Sequence, residues 1–361
     1  MIKRLYRFTI LVLLVASLPV QAGDIYRCID TDGSHHFQDT PCHAQAKPYK
    51  RWIDRPKPES DQKSIATPAD PVVVNLWAGE SRRAIATDAE ESPSFMWRAT
   101  RKGSGTVFLM GSIHFGRPEM YPLSQRVQSA FEQSDLLMVE LNALAANPLV
   151  MGQLMSEYGM YQNGDELRNH VTNQTWHRLQ KAVEHLNIPV SLVNSQKPWM
   201  AAMTLSALSV KQSGYSEALG IDMHFLKRAQ GRKKIIELEG VEFQASLMAN
   251  LSKKSQLAML EDTLRIMEQG DEYFGLMFDV WQKGDAAGMA ALIQQSVAGK
   301  EGAKELMKRL LDDRNIRMLD SLQRESKVGQ TSFVVVGAAH LVGPKGLVAL
   351  LAQKGFVLEQ Y

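Results

Sequence analysis

Apolar and polar positions along the chain follow two different rhythms. Residues 106–113 (TVFLMGSI), 136–141 (LLMVEL), 233–238 (KKIIEL) and 332–336 (SFVVV) are short, nearly continuous apolar runs. Runs of this length, rich in branched residues, predict strands buried on both faces. A further short strand is expected at 191–194. Between these runs the apolar residues recur at helical spacing. Helices are predicted at 125–134, with Val127, Ala130 and Phe131 on one side, and at 222–229 and 344–354, while 242–326 reads as mostly helical. Buried strands alternating with helices predict an α/β fold with a largely parallel central sheet, flanking helices and a long helical insert.

The N-terminal pattern is different. Lys3, Arg4 and Arg7 precede a 13-residue apolar run, 8–20, which leads to Val20-Gln21-Ala22. Basic, apolar and then small residues predict a secretory signal peptide over 1–22, cut after Ala22. A membrane anchor is disfavoured, since spanning a bilayer takes about 20 apolar residues. Residues 23–45 carry Asp32-Gly33, a hairpin turn signal, between two runs of strand character, and so predict a small β-hairpin domain. Residues 46–94 hold six of the 14 prolines and no helical periodicity, and are expected to be a linker. Residues 95–361 form the main domain.

Composition narrows the function classes. The 361 residues include 41 Lys and Arg against 39 Asp and Glu, a net charge of +2. That balance argues against a nucleic-acid binder. Removing residues 1–22 takes away three basic residues and leaves 38 basic against 39 acidic. The mature protein is therefore expected to be near neutral, soluble, and located in the periplasm or secreted. Two cysteines are too few for a zinc ribbon or a disulfide scaffold. In an oxidising compartment Cys28 and Cys42 are expected to pair and close the hairpin. His35, His36 and His43 read as exposed strand and turn residues rather than metal ligands.

Parallel α/β folds bind ligands beyond the carboxyl ends of their strands. The first buried run ends in Gly111-Ser112-Ile113-His114 and the last in Gly337-Ala338-Ala339-His340. Each is a strand, a glycine that permits a tight turn, two small or apolar residues, and a histidine able to bind a metal or move a proton. The other two runs end in carboxylates. Glu140 closes the second, and Glu237 and Glu239 close the third on a shared face, with Glu239 nearer the end. A carboxylate in an apolar run is costly unless paired or bound to a cation. Two histidines with one or two carboxylates suit a divalent transition metal with open positions, able to activate water. Arg314, on a helix, is expected either to bind substrate charge or to pair with Asp312, Asp313 or Asp320. Ser112 lacks a nucleophile elbow and reads as a supporting hydroxyl. His170, His177, His185 and His224 are expected to be exposed. Met248, Met259, Met267, Met277 and Met289 are expected to fill the core of a helical bundle.

The motifs FLMGSIHFGRPEMYPL, LLMVELN, KPWM, GIDMHFLKRAQGRKKIIELEGVEFQ, WQKGD, DDRNIRML and VVVGAAHLVGPKGL occur in that order. In this the main domain resembles the TraB/GumN family, which includes the Tiki metalloproteases and is similar in fold to erythromycin-esterase and ChaN-like proteins. The string YRCIDTDGSHHFQDTPC resembles a small domain of unknown function common in bacterial envelope proteins. The family resemblance implies a metal-dependent hydrolase. His114 and His340 would hold the ion with Glu239 or Glu140, the other acid would serve as base, and Arg314 would position substrate. Gly111, Ser112, Gln244, Asn315 and Gly337 match further family positions, Ser112 standing where many relatives have threonine. The expected cofactor is a divalent transition metal (Mn, Co, Zn or Fe) and the expected substrate a peptide or envelope component. The alternative is a non-catalytic protein that sequesters a peptide signal or a metal-containing ligand. A third reading makes the main domain a scaffold for the hairpin.

Overall fold

The computed structural model describes residues 94–295 and 302–361, with the backbone of three short strands ahead of them. Those three, β1 (Tyr26–Ile29), β2 (His35–Gln38) and β3 (Lys47–Pro48), form an antiparallel sheet of order β2-β1-β3 with Cys28 opposite His36. The expected signal peptide, the Cys28–Cys42 bond, the side chains of His35, His36 and His43, and the linker from 49 to 93 lie outside the described residues.

The main domain is built on a six-stranded sheet. Its strands are β4 (Met96–Thr100), β5 (Thr106–Ser112), β6 (Leu136–Val139), β7 (Lys234–Glu237), β8 (Thr331–Gly337) and β9 (Val357–Gln360), in the order β7-β6-β8-β5-β4-β9. The four strands read from continuous apolar runs, β7, β6, β8 and β5, are mutually parallel. The remaining two, β4 and β9, pair antiparallel at the far edge. Neither is anticipated by pattern. Each is only four or five residues long, with one charged residue and no continuous apolar run, and Arg98 reaches across the pair to Glu359 at 2.6 Å.

The helices follow in chain order: α1 (Gln125–Glu132), α2 (Pro148–Gly159), α3 (Asn173–His185), α4 (Val190–Asn194), α5 (Pro198–Gln212), α6 (Ile221–Ala229), α7 (Val241–Ala249), α8 (Lys253–Gln269), α9 (Asp271–Gln282), α10 (Ala286–Gln295), α11 (Ala303–Met307), α12 (Asp313–Glu325) and α13 (Leu347–Gln353). A π turn, Lys308–Asp312, joins α11 to α12. Side-chain oxygens of Ser124, Asn147, Thr172 and Ser252 cap α1, α2, α3 and α8. Residues 191–194, expected as a strand, lie in helix α4. Pro189 begins that helix, and Val193 turns into the helical core with backbone bonds Leu192 to Pro189 and Gln196 to Val193. Four residues, only Leu192 and Val193 of them apolar, are too few to distinguish the two periods.

There are two apolar cores. One surrounds the sheet and centres on Phe131, Phe225 and Phe333, with ring centroids 4.7–5.4 Å apart. The other lies within the helical insert, around Trp199, Leu205, Met248 and Leu260. Met248, Met259 and Met267 pack in the core of the helical insert as expected, Met277 touches both cores, and Met289 lies instead in the core around the sheet. His177 and His185 are exposed as expected. His170 instead pairs with Asp165 at 2.7 Å, and His224 is half-buried against Tyr121. Among the described residues no helix is long and apolar enough to cross a membrane.

Phe333 sits fully buried mid-sheet, in register with Phe108 and Leu137. Phe333→Ala is expected to cost about 3–5 kcal/mol, read as a lowered urea midpoint with an unchanged slope.

Candidate functional site

Register brings the strand-end residues together. Ser112 on β5 lies opposite Gly337 on β8, so the two Gly-x-x-His motifs emerge side by side. Val139 on β6 lies opposite both Val335 and Glu237. Glu140 therefore emerges between the β8 motif and the end of β7, where Glu239 donates its backbone N–H to the Glu140 carbonyl at 3.2 Å. In sheet order the carboxyl edge presents Glu239, Glu140, His340 and His114. Gly111 is required by crowding. A Cβ there would lie 2.4 Å from the Phe95 ring and 3.2 Å from Ala338 Cα.

One half of the site forms around His114. Its Nδ1 lies 3.1 Å from Asp222 Oδ1, which also accepts a 2.7 Å bond from Ser112 Oγ. The Asp222 backbone N–H returns a bond to Ser112 Oγ at 3.2 Å. Asp222 stands in the first turn of α6, which begins at Gly220. A Cβ on Gly220 would be 2.2 Å from the His114 carbonyl, so only glycine lets α6 start this close.

The other half forms around Arg314 of α12, whose guanidinium is 1% exposed. Its Nε donates to Glu239 Oε1 and Oε2 at 2.9 and 3.1 Å, and Nη2 donates to Glu239 Oε2 at 2.7 Å and to Glu140 Oε2. Nη1 donates to the Leu310 carbonyl inside the π turn at 3.3 Å. Gln244 Nε2 donates to Glu239 Oε2 at 3.0 Å, and the Gly337 N–H to Glu140 Oε1 at 2.6 Å. Beside Arg314, Asn315 Oδ1 lies 2.5 Å from His340 Nδ1 while its Nδ2 donates to the Lys345 carbonyl at 2.8 Å. His340 is fully buried, and its Nε2 has no hydrogen-bond partner. The nearest acid oxygen is Glu140 Oε1, at 3.8 Å.

These contacts give the two histidines opposite tendencies. Burial alone would lower the pKa of His114, but the charge and hydrogen bond of Asp222, with help from Glu140, raise it above its ordinary value. Burial pushes His340 well below its ordinary value, and the charges of Arg314 and His114 act in the same sense. Burial raises Glu140, opposed by Arg314 and assisted by Glu239. Burial also works against the Arg314 cation, but the two carboxylates more than restore it.

Among the described residues no three His, Cys, Asp or Glu side chains are drawn together tightly enough to hold a metal ion as they stand. The chemistry of the donors nevertheless fits one. Each histidine has Nδ1 fixed by an oxygen, which is how ligating imidazoles are oriented, leaving Nε2 to offer. The unpartnered Nε2 of His340 faces Glu140. Glu239, expected as the metal-binding acid, has both oxygens occupied by Arg314 and Gln244. Arg314, expected to meet substrate or a neighbouring aspartate, is spent on the two glutamates. Asp312 and Asp313 pair instead with Lys345 and Lys308.

Ten of the residues singled out from the sequence, Gly111, Ser112, His114, Glu140, Glu239, Gln244, Arg314, Asn315, Gly337 and His340, fall in this one cluster. Glu237 does not. It turns outward and accepts from the Asn142 N–H at 2.6 Å. Asp222 was missed. Its signal is that it shares the buried stripe of α6 with Ile221, Phe225, Leu226 and Ala229, an unusual place for a lone carboxylate.

The family model described as TraB/PrgY/gumN matches residues 95–360, and that of a domain of unknown function, DUF4124, matches 11–73. Similar curated proteins include an uncharacterized protein, YbaP, of Escherichia coli (strain K12) and its namesake in Shigella flexneri. Each is 28% identical over 261 residues, covering 71% of this chain and 93% of the relative. No solved structure matches significantly.

Two outcomes follow from the electrostatics. Arg314→Met leaves two buried carboxylates uncompensated, and a loss of about 3–5 kcal/mol is expected at neutral pH. With the pKa of Glu140 raised by burial, the folded variant binds more protons than the unfolded chain as the pH falls through that value, so the loss should shrink on acidification. Urea titrations across pH measure both. In the intact protein His114, raised above 6.5, contributes stability below that pH that fades as pH rises through the raised value. Asp222→Asn removes the raising charge and leaves burial dominant. The His114 ring signals should then titrate below pH 6.5 in NMR spectra, and the stability gap to the parent should widen as the pH falls.

Proposed function

Since the chain belongs to the TraB/PrgY/gumN family, we propose that it is a metal-dependent hydrolase of the periplasm, a peptidase, centred on His114, His340 and Glu140. The observation that carries this reading is the fully buried, unpartnered Nε2 of His340, held by Asn315 and facing a carboxylate oxygen. Buried polar atoms are rarely left unpaired, and where they are, a role outside the apo fold is the usual reason.

His114 and His340 would hold the ion through Nε2 and Glu140 through Oε1. A divalent transition ion there (Mn, Co, Zn or Fe) supplies Lewis acidity that polarises a carbonyl and activates water. Asp222 keeps His114 turned so that Nδ1 points away from the centre, and Asn315 does the same for His340. Glu140 Oε1 accepts only the Gly337 N–H, so it keeps a lone pair to offer the ion. Glu239 anchors Arg314, which keeps a positive charge beside the reacting groups. The periplasmic assignment rests on the signal-peptide pattern of residues 1–22.

The test is elemental analysis of the full chain, purified without chelator and reloaded with each divalent ion, beside the His114→Ala, His340→Ala double variant. About one ion per chain is expected in the parent and none in the folded variant, with peptide hydrolysis reduced at least 10²-fold. Metal bound without hydrolysis of any peptide would favour the sequestering role. No metal in either folded protein would remove the metallohydrolase reading.

A further inference from the structure

Strand β2 of the N-terminal sheet packs against α10 of the main domain. The same helix packs against the turn Ala338–His340, which presents the second motif histidine. The sequence of α10, AAGMAALIQQ, shows how one short helix serves both neighbours. Met289 is buried in the core around the sheet, and Ala286, Leu292 and Ile293 pack on the margin of that core. At helical spacing these four residues form one side of the helix. Ala287, Ala291 and Gln294 are left on the opposite side, where Ala287 and Gln294 are exposed. No residue of α10 is charged, whereas the outer face of a helix that meets only water is ordinarily charged or polar. Alanine methyls on that face let another backbone come close. The N-terminal sheet in turn needs a neighbour. Its strands have four, four and two residues, and β2 lies at its edge. Sheets this small gain independent stability by packing against a helix, and a bare edge strand is a template for aggregation unless it is covered.

We infer that the uncharged face of α10 is the docking surface for the chain's own N-terminal hairpin domain, and that this docking braces the Ala338–His340 turn through α10. Residues 49–93 join the two partners covalently, so docking is intramolecular and a weak interface is enough to keep the surface occupied. With α10 held from outside, the turn beneath it is held as well, and with it the approach of His340 Nδ1 to Asn315 Oδ1. The inference uses no metal and no reaction, and so stands or falls apart from the peptidase reading.

The experiment has two arms, both on the full chain. In the first, the photocrosslinker benzoylphenylalanine replaces Ala287 or, in a second preparation, Gln294, the exposed positions toward the two ends of α10. Adducts are expected within residues 26–48 on a product of monomer mass. In the second, Ala291→Arg sets a long charged side chain on the docking face, and backbone hydrogen exchange is followed by mass spectrometry. Exchange at 26–29 and 35–38 is expected to accelerate about tenfold as the sheet is released. Exchange at 338–341 should rise with it, while β5 and β6 keep their protection. Should that variant lose protection in β5 and β6 as well, it has failed to fold, and the crosslinks decide. Adducts confined to the main domain, adducts joining two copies of the chain, or hairpin exchange unmoved by Ala291→Arg in a folded protein would overturn the docking. A released hairpin with unchanged exchange at 338–341 would overturn the brace.

Discussion

Two carboxylates delivered by neighbouring parallel strands into a dry sheet edge repel each other, and burying them together is costly without a compensating charge. Glu140 and Glu239 are in that position, and the Arg314 guanidinium between them is what makes the arrangement stable. A planar fork of five donors can serve two acids and a backbone carbonyl at once, which lysine cannot. Because Arg314 belongs to α12, that helix must dock over the ends of β6 and β7. Docking has a second effect. Asn315, the next residue, is carried to His340 and to the Lys345 carbonyl. The π turn before α12 places the Leu310 carbonyl where Nη1 can use it, and such turns often mark functional positions in helices. Acid neutralisation and histidine orientation thus depend on a single helix turn.

Much of this edge was legible beforehand because burial on both faces leaves a plain mark on a sequence. A strand covered by helices is a continuous apolar run, and whatever polar residue ends it stands out. That is how His114, His340 and Glu140 could be named from pattern, with the parallel sheet that gathers them. Short strands of mixed composition carry no such mark, and β4 and β9 went unseen. Nor could pattern divide the work between the acids. Glu237 and Glu239 share a face by alternation, and only the pairing of β7 with β6, together with the arrival of Arg314, sends one inward and leaves the other to the Asn142 N–H. Asp222 was hidden for a related reason. Its role depends on α6 starting against the His114 carbonyl, a contact between residues over a hundred positions apart.

The repeated Gly-x-x-His motif suggests two equivalent histidines, but their surroundings make them unequal. Burial, with the nearby Arg314 guanidinium, keeps the His340 imidazole neutral, and the Asn315 amide oxygen at Nδ1 leaves the lone pair on Nε2. His114 meets a carboxylate, which raises its pKa and lets it hold a proton to higher pH than an ordinary imidazole. On the proposed reading the two do different work during metal uptake. His340 can accept a cation as it stands. His114 must first give up the proton that Asp222 helps it retain, because a ligating nitrogen is a deprotonated one. On that reading ion binding at this edge would be coupled to proton release through one of the two histidines, and the asymmetry comes from the residues packed behind the motifs rather than from the motifs themselves.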